Sequence, residues 1–280
     1  MRPPPIAVND RAAAERYLTE VGAGPDEAID LFETALALAA LDRPRTALDP
    51  YRTHGADLVR DLGNAIGRDV PPAEALSEVL SAGHGYIGDT LTYDDNQNAN
   101  LIRVIDRRKG LPVALGILYI HAARARGIAA EGLNFPGHFL VRIGSGSDRA
   151  ILDPFNAGLE RTAADLRDLL KATAGLAAEL EPAHYEAVGN RDILIRLQNN
   201  IKARHQRAGR IEEALRVVEG MLLFAPDVMA LWREAGVLNA RLGKIGAAMR
   251  AFETIAERAE SAAARQDAAV ILARLKARLN

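Results

Sequence analysis

Between Pro112 and Gly127 the chain carries a segment that is apolar on nearly every side, because Val113, Leu115, Ile117, Leu118 and Ile120 spread around any helix built there. Such a helix has no face to give to water, so the rest of the chain must wrap around it. Pro112 stands where first-turn N–H groups have no intrahelical partner, and Gly127 stands just past the last turn, so the two residues bracket the helix. The pattern predicts one central helix over 112–126.

The segments on either side predict different architectures. Residues 1–90 read as a helical subdomain of short helices punctuated by proline: Asn9 or Asp10 can cap the first, Pro25 opens the second, Pro50 the third, and Pro71 with Pro72 the fourth. Residues 83–100 are rich in Gly, Asp and Asn and read as loop. After Ile128 the period shortens. Phe139, Val141 and Ile143 alternate with His138, Leu140 and Arg142, a GSGSD turn follows, and Ala150 to Asp153 runs extended, which predicts an antiparallel hairpin. Beyond Asp153 the chain reads as helical, with Thr162 and Asp165 spaced as a capping pair.

The last third repeats itself. Gly209-Arg-Ile-Glu-Glu-Ala214 recurs 34 residues later as Gly243-Lys-Ile-Gly-Ala-Ala248, which is the tetratricopeptide period. In the second copy Trp232, Gly236, Ala248 and Phe252 occupy the Trp, Gly, Ala and Phe positions of that pattern. The first copy has Gln198 and Lys202 where Trp and Gly belong. Two helix pairs are too few for a free-standing solenoid, so the array is expected to dock on what precedes it. The organisation expected is therefore a helical subdomain over 1–90, a core over 91–190 and helical repeats over 191–280.

Charge and composition narrow the function. With 49% hydrophobic and 26% charged residues in 280, the chain is globular. It has no cysteine, so thiol catalysis, thiolate metal sites and disulfides are excluded. The net charge of −2 divides unevenly, with +6 over residues 191–280 and −8 over residues 1–190, which marks a boundary near Gly189. No signal-peptide pattern or long apolar run is present, and the expected location is the cytoplasm, away from membranes.

If the hairpin turn centres on Ser145 to Ser147, Leu140 lies opposite Asp153, and His138 and Asp153 become diagonal neighbours on one face, within reach of a carboxylate–imidazole hydrogen bond. A helix start facing a His and an Asp on adjacent strands is the arrangement of Cys-His-Asp acyl transfer, because unpaired N–H groups at the helix start would activate a thiol and hold an oxyanion.

The stretches RKGLPVALGILYIHAARARGI, NFPGHFLVRI and ILDPFNAG, followed by the repeats, resemble the bacterial transglutaminase-like proteins labelled SirB-type, over roughly residues 30–270. The resemblance implies an α+β, papain-like transglutaminase core with the central helix on a small antiparallel sheet, and α-helical tetratricopeptide repeats after it. It also implies a nucleophilic cysteine at the position of Pro112, with His138 and Asp153 as the vestigial remainder of the triad. A proline there has neither a nucleophile nor an N–H. Lys109 and Tyr119, the closest other nucleophiles along the chain, are not placed beside His138 by any spacing. A similar domain occurs in a vertebrate F-box protein that recruits substrates.

The leading expectation is a non-catalytic transglutaminase-like module that binds a protein or peptide through the first helices of the repeats, with Asn199, Lys202 and Arg233 as polar contacts. A hydrolase or amidase that activates water with His138 and Asp153 is the alternative, and a transcription-related regulator is the second alternative. No metal or cofactor is expected. Asp94-Asp95-Asn96 lacks the Gly and terminal Glu of a calcium loop, the histidines have no zinc spacing, and the glycines of GSGSD do not join a strand to a helix. Nucleic acid is not expected as a partner, because the aromatic residues of the basic third are few and belong largely to the repeat core.

Overall fold

The computed structural model describes residues 11–277, so the Asn9 or Asp10 cap lies outside the described residues. The N-terminal third is helical: α1 (Arg11–Ala23), α2 (Leu31–Asp42), α3 (Asp49–Ile66) and α4 (Pro72–Ser77), the last continuing into one wide π-helical turn, Glu78–Gly83. Pro50 lies in the first turn of α3 and Pro72 opens α4. Pro25 does less than its position predicts. It opens only the single turn Asp26–Ala28, and α2 starts at Leu31 because the Asp30 carboxylate accepts from the Glu33 N–H at 3.0 Å.

The Gly-, Asp- and Asn-rich segment holds a two-residue parallel bridge between β1 (Ile87–Gly88) and β2 (Lys109–Gly110), and one helical turn, Asn96–Ala99. Asn100 caps α5 (Leu101–Arg107). Next comes α6 (Pro112–Ala125), with eleven of its fourteen residues buried, Pro112 among them, and Gly127 beyond it at φ +73°.

A five-stranded antiparallel sheet lies against α6. It consists of β3 (Ala130–Leu133), β4 (Val141–Ile143), β5 (Ala150–Asp153), β6 (Leu159–Glu160) and β7 (Ala187–Val188), in the order β6-β5-β4-β3-β7. Val141 faces Leu152 and Ile143 faces Ala150, the register that the GSGSD turn implies. Directly after Asp153 the chain makes only one 3-10 turn, Pro154–Asn156, and the edge strand β6 then intervenes before α7 (Ala163–Ala174). There Thr162 and Asp165 form a reciprocal capping box. Phe139 fixes how closely helix and sheet approach. Its ring fills the space beside Gly116 on α6, and a Cβ on Gly132 of β3 would stand 2.5 Å from its Cζ.

The repeats form α8 (Asn190–Arg207), α9 (Ile211–Phe224), α10 (Met229–Arg241), α11 (Ile245–Arg258) and a further helix, α12 (Ala262–Ala277). Gly236 lets the Phe252 ring sit against α10, and the Trp232 indole N–H donates to the Pro226 carbonyl at 2.8 Å. The array does dock. α9 packs on α1, where Gly22 meets the Leu223 carbonyl, and one apolar core runs from α1 through α9 to Leu238 and Ala251. Asp26, from the N-terminal subdomain, accepts from the N–H groups of Asn190 and Arg191 at 2.7 Å each and so caps α8 from outside the repeats. The architecture is α+β, with an antiparallel sheet in the core and helical repeats at the C-terminus.

Candidate functional site

His138 stands just before β4 and Asp153 ends β5, so the strand register brings them together. His138 Nε2 lies 2.8 Å from Asp153 Oδ1. The Asp153 side chain has no exposed surface and that of His138 is 11% exposed. Two more residues converge on the same carboxylate alongside His138: Arg161 through Nε at 3.1 Å and Nη2 at 2.7 Å, and Asn156 through its side-chain NH2 at 2.8 Å and its backbone N–H at 3.3 Å. Burial pushes the Asp153 carboxyl up, but the hydrogen bonds from His138, Asn156 and Arg161 outweigh it and hold the group at about 2. An ionised Asp153 keeps the ring proton of His138 on Nε2 and leaves Nδ1 as the acceptor nitrogen.

The surroundings enclose this pair. The Phe155 ring meets His138 edge-on at 6.0 Å, and Tyr93 meets Phe155 edge-on at 5.8 Å. Helix α8 holds the loops that carry His138 and Tyr93. Arg196 donates to the carbonyls of Phe135 at 3.1 Å and His138 at 2.5 Å, with its guanidinium over the Phe139 ring, and Arg204 donates to the carbonyls of Tyr93 at 2.8 Å and Asp94 at 3.0 Å. The first helix of the array therefore braces the loops beside His138.

At the start of α6 the chemistry is different. Pro112 is buried and contributes no N–H, the next residues are Val113, Ala114 and Leu115, and the Leu115 N–H is committed to the Leu111 carbonyl at 3.0 Å. Sulfur, hydroxyl and amine are all missing from that turn. Of the two other nucleophiles along the chain, Lys109 is exposed on β2, whereas Tyr119 does approach the pair, which its spacing did not reveal. Burial and the charge of Asp153 raise its phenol well above the ordinary range, so it stays protonated. Its hydroxyl is buried beside Gly158 and the Ser77 hydroxyl without a hydrogen-bond partner among the described residues.

The remaining sequence-marked residues are placed as follows. Asp95 accepts from the Gln97 N–H, and Asp94 lies 3.7 Å from Arg204 and 3.4 Å from Arg207. His84 bonds Asp61 at 2.9 Å. No group of three or more His, Asp or Glu among the described residues is arranged to hold a metal ion, and no helix is long and apolar enough to cross a membrane. Arg233 is exposed on α10, and Asn199 is half-buried with its amide oxygen lacking a partner. Lys202 requires a correction: it is buried and pairs with Glu234 on α10 at 2.5 Å, so it links the first helices of two repeats instead of facing a partner.

Sequence reasoning missed Arg161, Asn156, Phe155 and the α8 arginines. The first three lie within eight residues of Asp153, where an aspartate followed three residues later by asparagine was a readable local signal. Arg196 acts across 58 residues of chain and left none.

Comparison with known proteins places these features in context. Residues 49–199 match the model of the transglutaminase-like superfamily, and residues 201–276 match a tetratricopeptide repeat model. A UPF0162 protein of Xylella fastidiosa is 31% identical over 229 residues, covering 78% of this chain and 80% of that one. A UPF0162 protein of Vibrio cholerae is 32% identical over 220 residues, covering 77% and 81%. Human F-box only protein 21 is 35% identical over 83 residues, which span 30% of this chain and 13% of that protein.

Proposed function

The chain belongs to the transglutaminase-like superfamily, among the UPF0162 proteins, and from that membership we propose that it is a non-catalytic module that binds a protein or peptide partner through its repeats. The observation that carries this reading is the occupant of the nucleophile position: a buried Pro112 in a chain without cysteine. Acyl transfer needs a nucleophile at the reacting carbon and donors for the oxyanion, and proline supplies neither. The His138–Asp153 pair then serves as a hydrogen-bonded node that joins β4, β5 and the turn after β5. Exposed polar residues on the first helices of the repeats, Arg233 foremost, are the contacts for the partner. Intact chain used as bait should capture a protein that Arg233→Asp loses and His138→Ala keeps, with no turnover on amide or ester panels. Capture unaffected by Arg233→Asp, or turnover that His138→Ala abolishes, overturns the proposal.

The 2.8 Å contact favours one other reading, hydrolysis of an amide by water that His138 Nδ1 deprotonates. That reading requires a His138→Ala variant that folds normally and loses activity. A role in transcription has only the +6 charge of the last third behind it.

A further inference from the structure

Away from His138, a cavity of about 300 Å³ opens where the end of α2, the Asn96–Ala99 turn, α5, α8 and α9 meet, which is also where the transglutaminase-like match gives way to the repeats. Three arginines from three helical elements line it: Arg43, Arg103 and Arg216. Two carboxylates share the wall. Glu213 lies 3.4 Å from Arg216, and Asp42 is hydrogen bonded to the Asn100 side chain and sits in the field of Arg216 and Arg11. Asp106, one turn along α5 from Arg103, accepts from the Tyr51 hydroxyl at 3.0 Å. Arg43 has only the Thr46 hydroxyl, at 3.5 Å, and Arg103 has no side-chain hydrogen bond or ion pair among the described residues.

The amide of Asn96 adds a third unmet group. Arg210 Nε donates to His205 Nδ1 at 3.0 Å, so the proton of the neutral ring is on Nε2. The structure sets Asn96 Nδ2 at 3.3 Å from Nε2, where two N–H groups would face each other; turning the amide over, an assignment made from the hydrogen-bond network, puts its oxygen there to accept this proton. The other amide atom, buried and without a partner, is then the NH2 group. The unmet groups of this wall are thus all donors: two guanidinium forks and a primary amide.

We propose that this cavity binds a small phosphate-bearing anion, held by Arg43, Arg103 and the Asn96 amide. Guanidinium groups present paired N–H donors that match the oxygens of a tetrahedral oxyanion, and arginines arriving from separate elements suit a ligand with acceptors on several sides. The volume falls at the small end of ligand sites.

Calorimetric titration with inorganic pyrophosphate at constant ionic strength tests this on the full chain. One saturable site is expected, with affinity about tenfold or more weaker in Arg103→Gln and in Arg43→Gln and unchanged in Arg250→Gln, an exposed arginine of α11 outside the cavity. The melting temperature should rise with pyrophosphate in the wild type and not in Arg103→Gln, whose side chain has no hydrogen bond to lose. No saturable binding at millimolar pyrophosphate, unchanged affinity in either arginine variant, or citrate binding as tightly as pyrophosphate overturns the proposal.

Discussion

The transglutaminase-like core and the repeat array each close over a phenylalanine seated on glycine, Phe139 against Gly116 and Gly132, and Phe252 against Gly236. They differ in where they place charge. The core buries Asp153 and Asp89 and surrounds each with donors, Arg161, Asn156 and His138 for one, Arg107 and Thr92 for the other. In the array, the Lys202 pair has a partner, Glu234, that remains 38% exposed. A buried network stands or falls as a unit, whereas a half-exposed pair can be handed back to water. The core therefore holds an acid–imidazole network without the cysteine of a Cys-His-Asp triad, and on the proposed reading that network keeps the sheet and its loops in shape. The array buries Lys202 and Arg204 too, but against carboxylates that stay in contact with water, Glu234 and Asp94.

The largest expected effect comes from Asp153→Ala, which strands Arg161, Asn156 and His138 without their acceptor and should cost about 3–5 kcal/mol in chemical denaturation. A loss below about 1 kcal/mol would erase the distinction between core and array. Gly116→Ala should follow at about 2–3 kcal/mol, because the new methyl meets the Phe139 ring between a buried helix and the sheet; Gly236→Ala should cost less, about 1–2 kcal/mol, because α10 lies in a thinner layer that can shift. Equal or reversed costs would show that the array is as rigid as the core.

The pH dependence sharpens the contrast further. Asp153 ionises at about 2 in the folded chain and near 3.8 when unfolded, so its ion contributes on the order of 2 kcal/mol above that range, lost as pH falls from 3.8 through 2. Burial first, then Arg108, lowers His54 to about 4. The unfolded chain takes up this proton near 6.5 and the folded chain only near 4, so stability should fall as pH drops through that window, and His54→Gln should flatten the slope in a thermal-melt series. The smallest effect belongs to Lys202→Met, within about 1 kcal/mol of wild type by the same denaturation assay, since a methionine fills the volume and Glu234 stays hydrated.

What the sequence disclosed was local or periodic. Pro112 and Gly127 bracket α6, the GSGSD turn sets the register that brings His138 to Asp153, and the 34-residue spacing marks the repeats. What it concealed depends on distant partners. β3 is four residues with Gly132 inside it and β7 is two residues, so neither shows alternation, and both exist by pairing across the sheet. Asp26 caps α8 from 164 residues away, and Lys202 reads as a free cation until α10 brings Glu234 to it. The start of α2 was a contest between Pro25 and Asp30, decided by a side chain that can accept a hydrogen bond.

The claim that acyl chemistry is absent from this core is tested most directly by intact-mass analysis after exposure to a mechanism-based acylating probe. The unmodified mass of the 280-residue chain is the predicted result. A stoichiometric adduct that disappears in His138→Ala would contradict it.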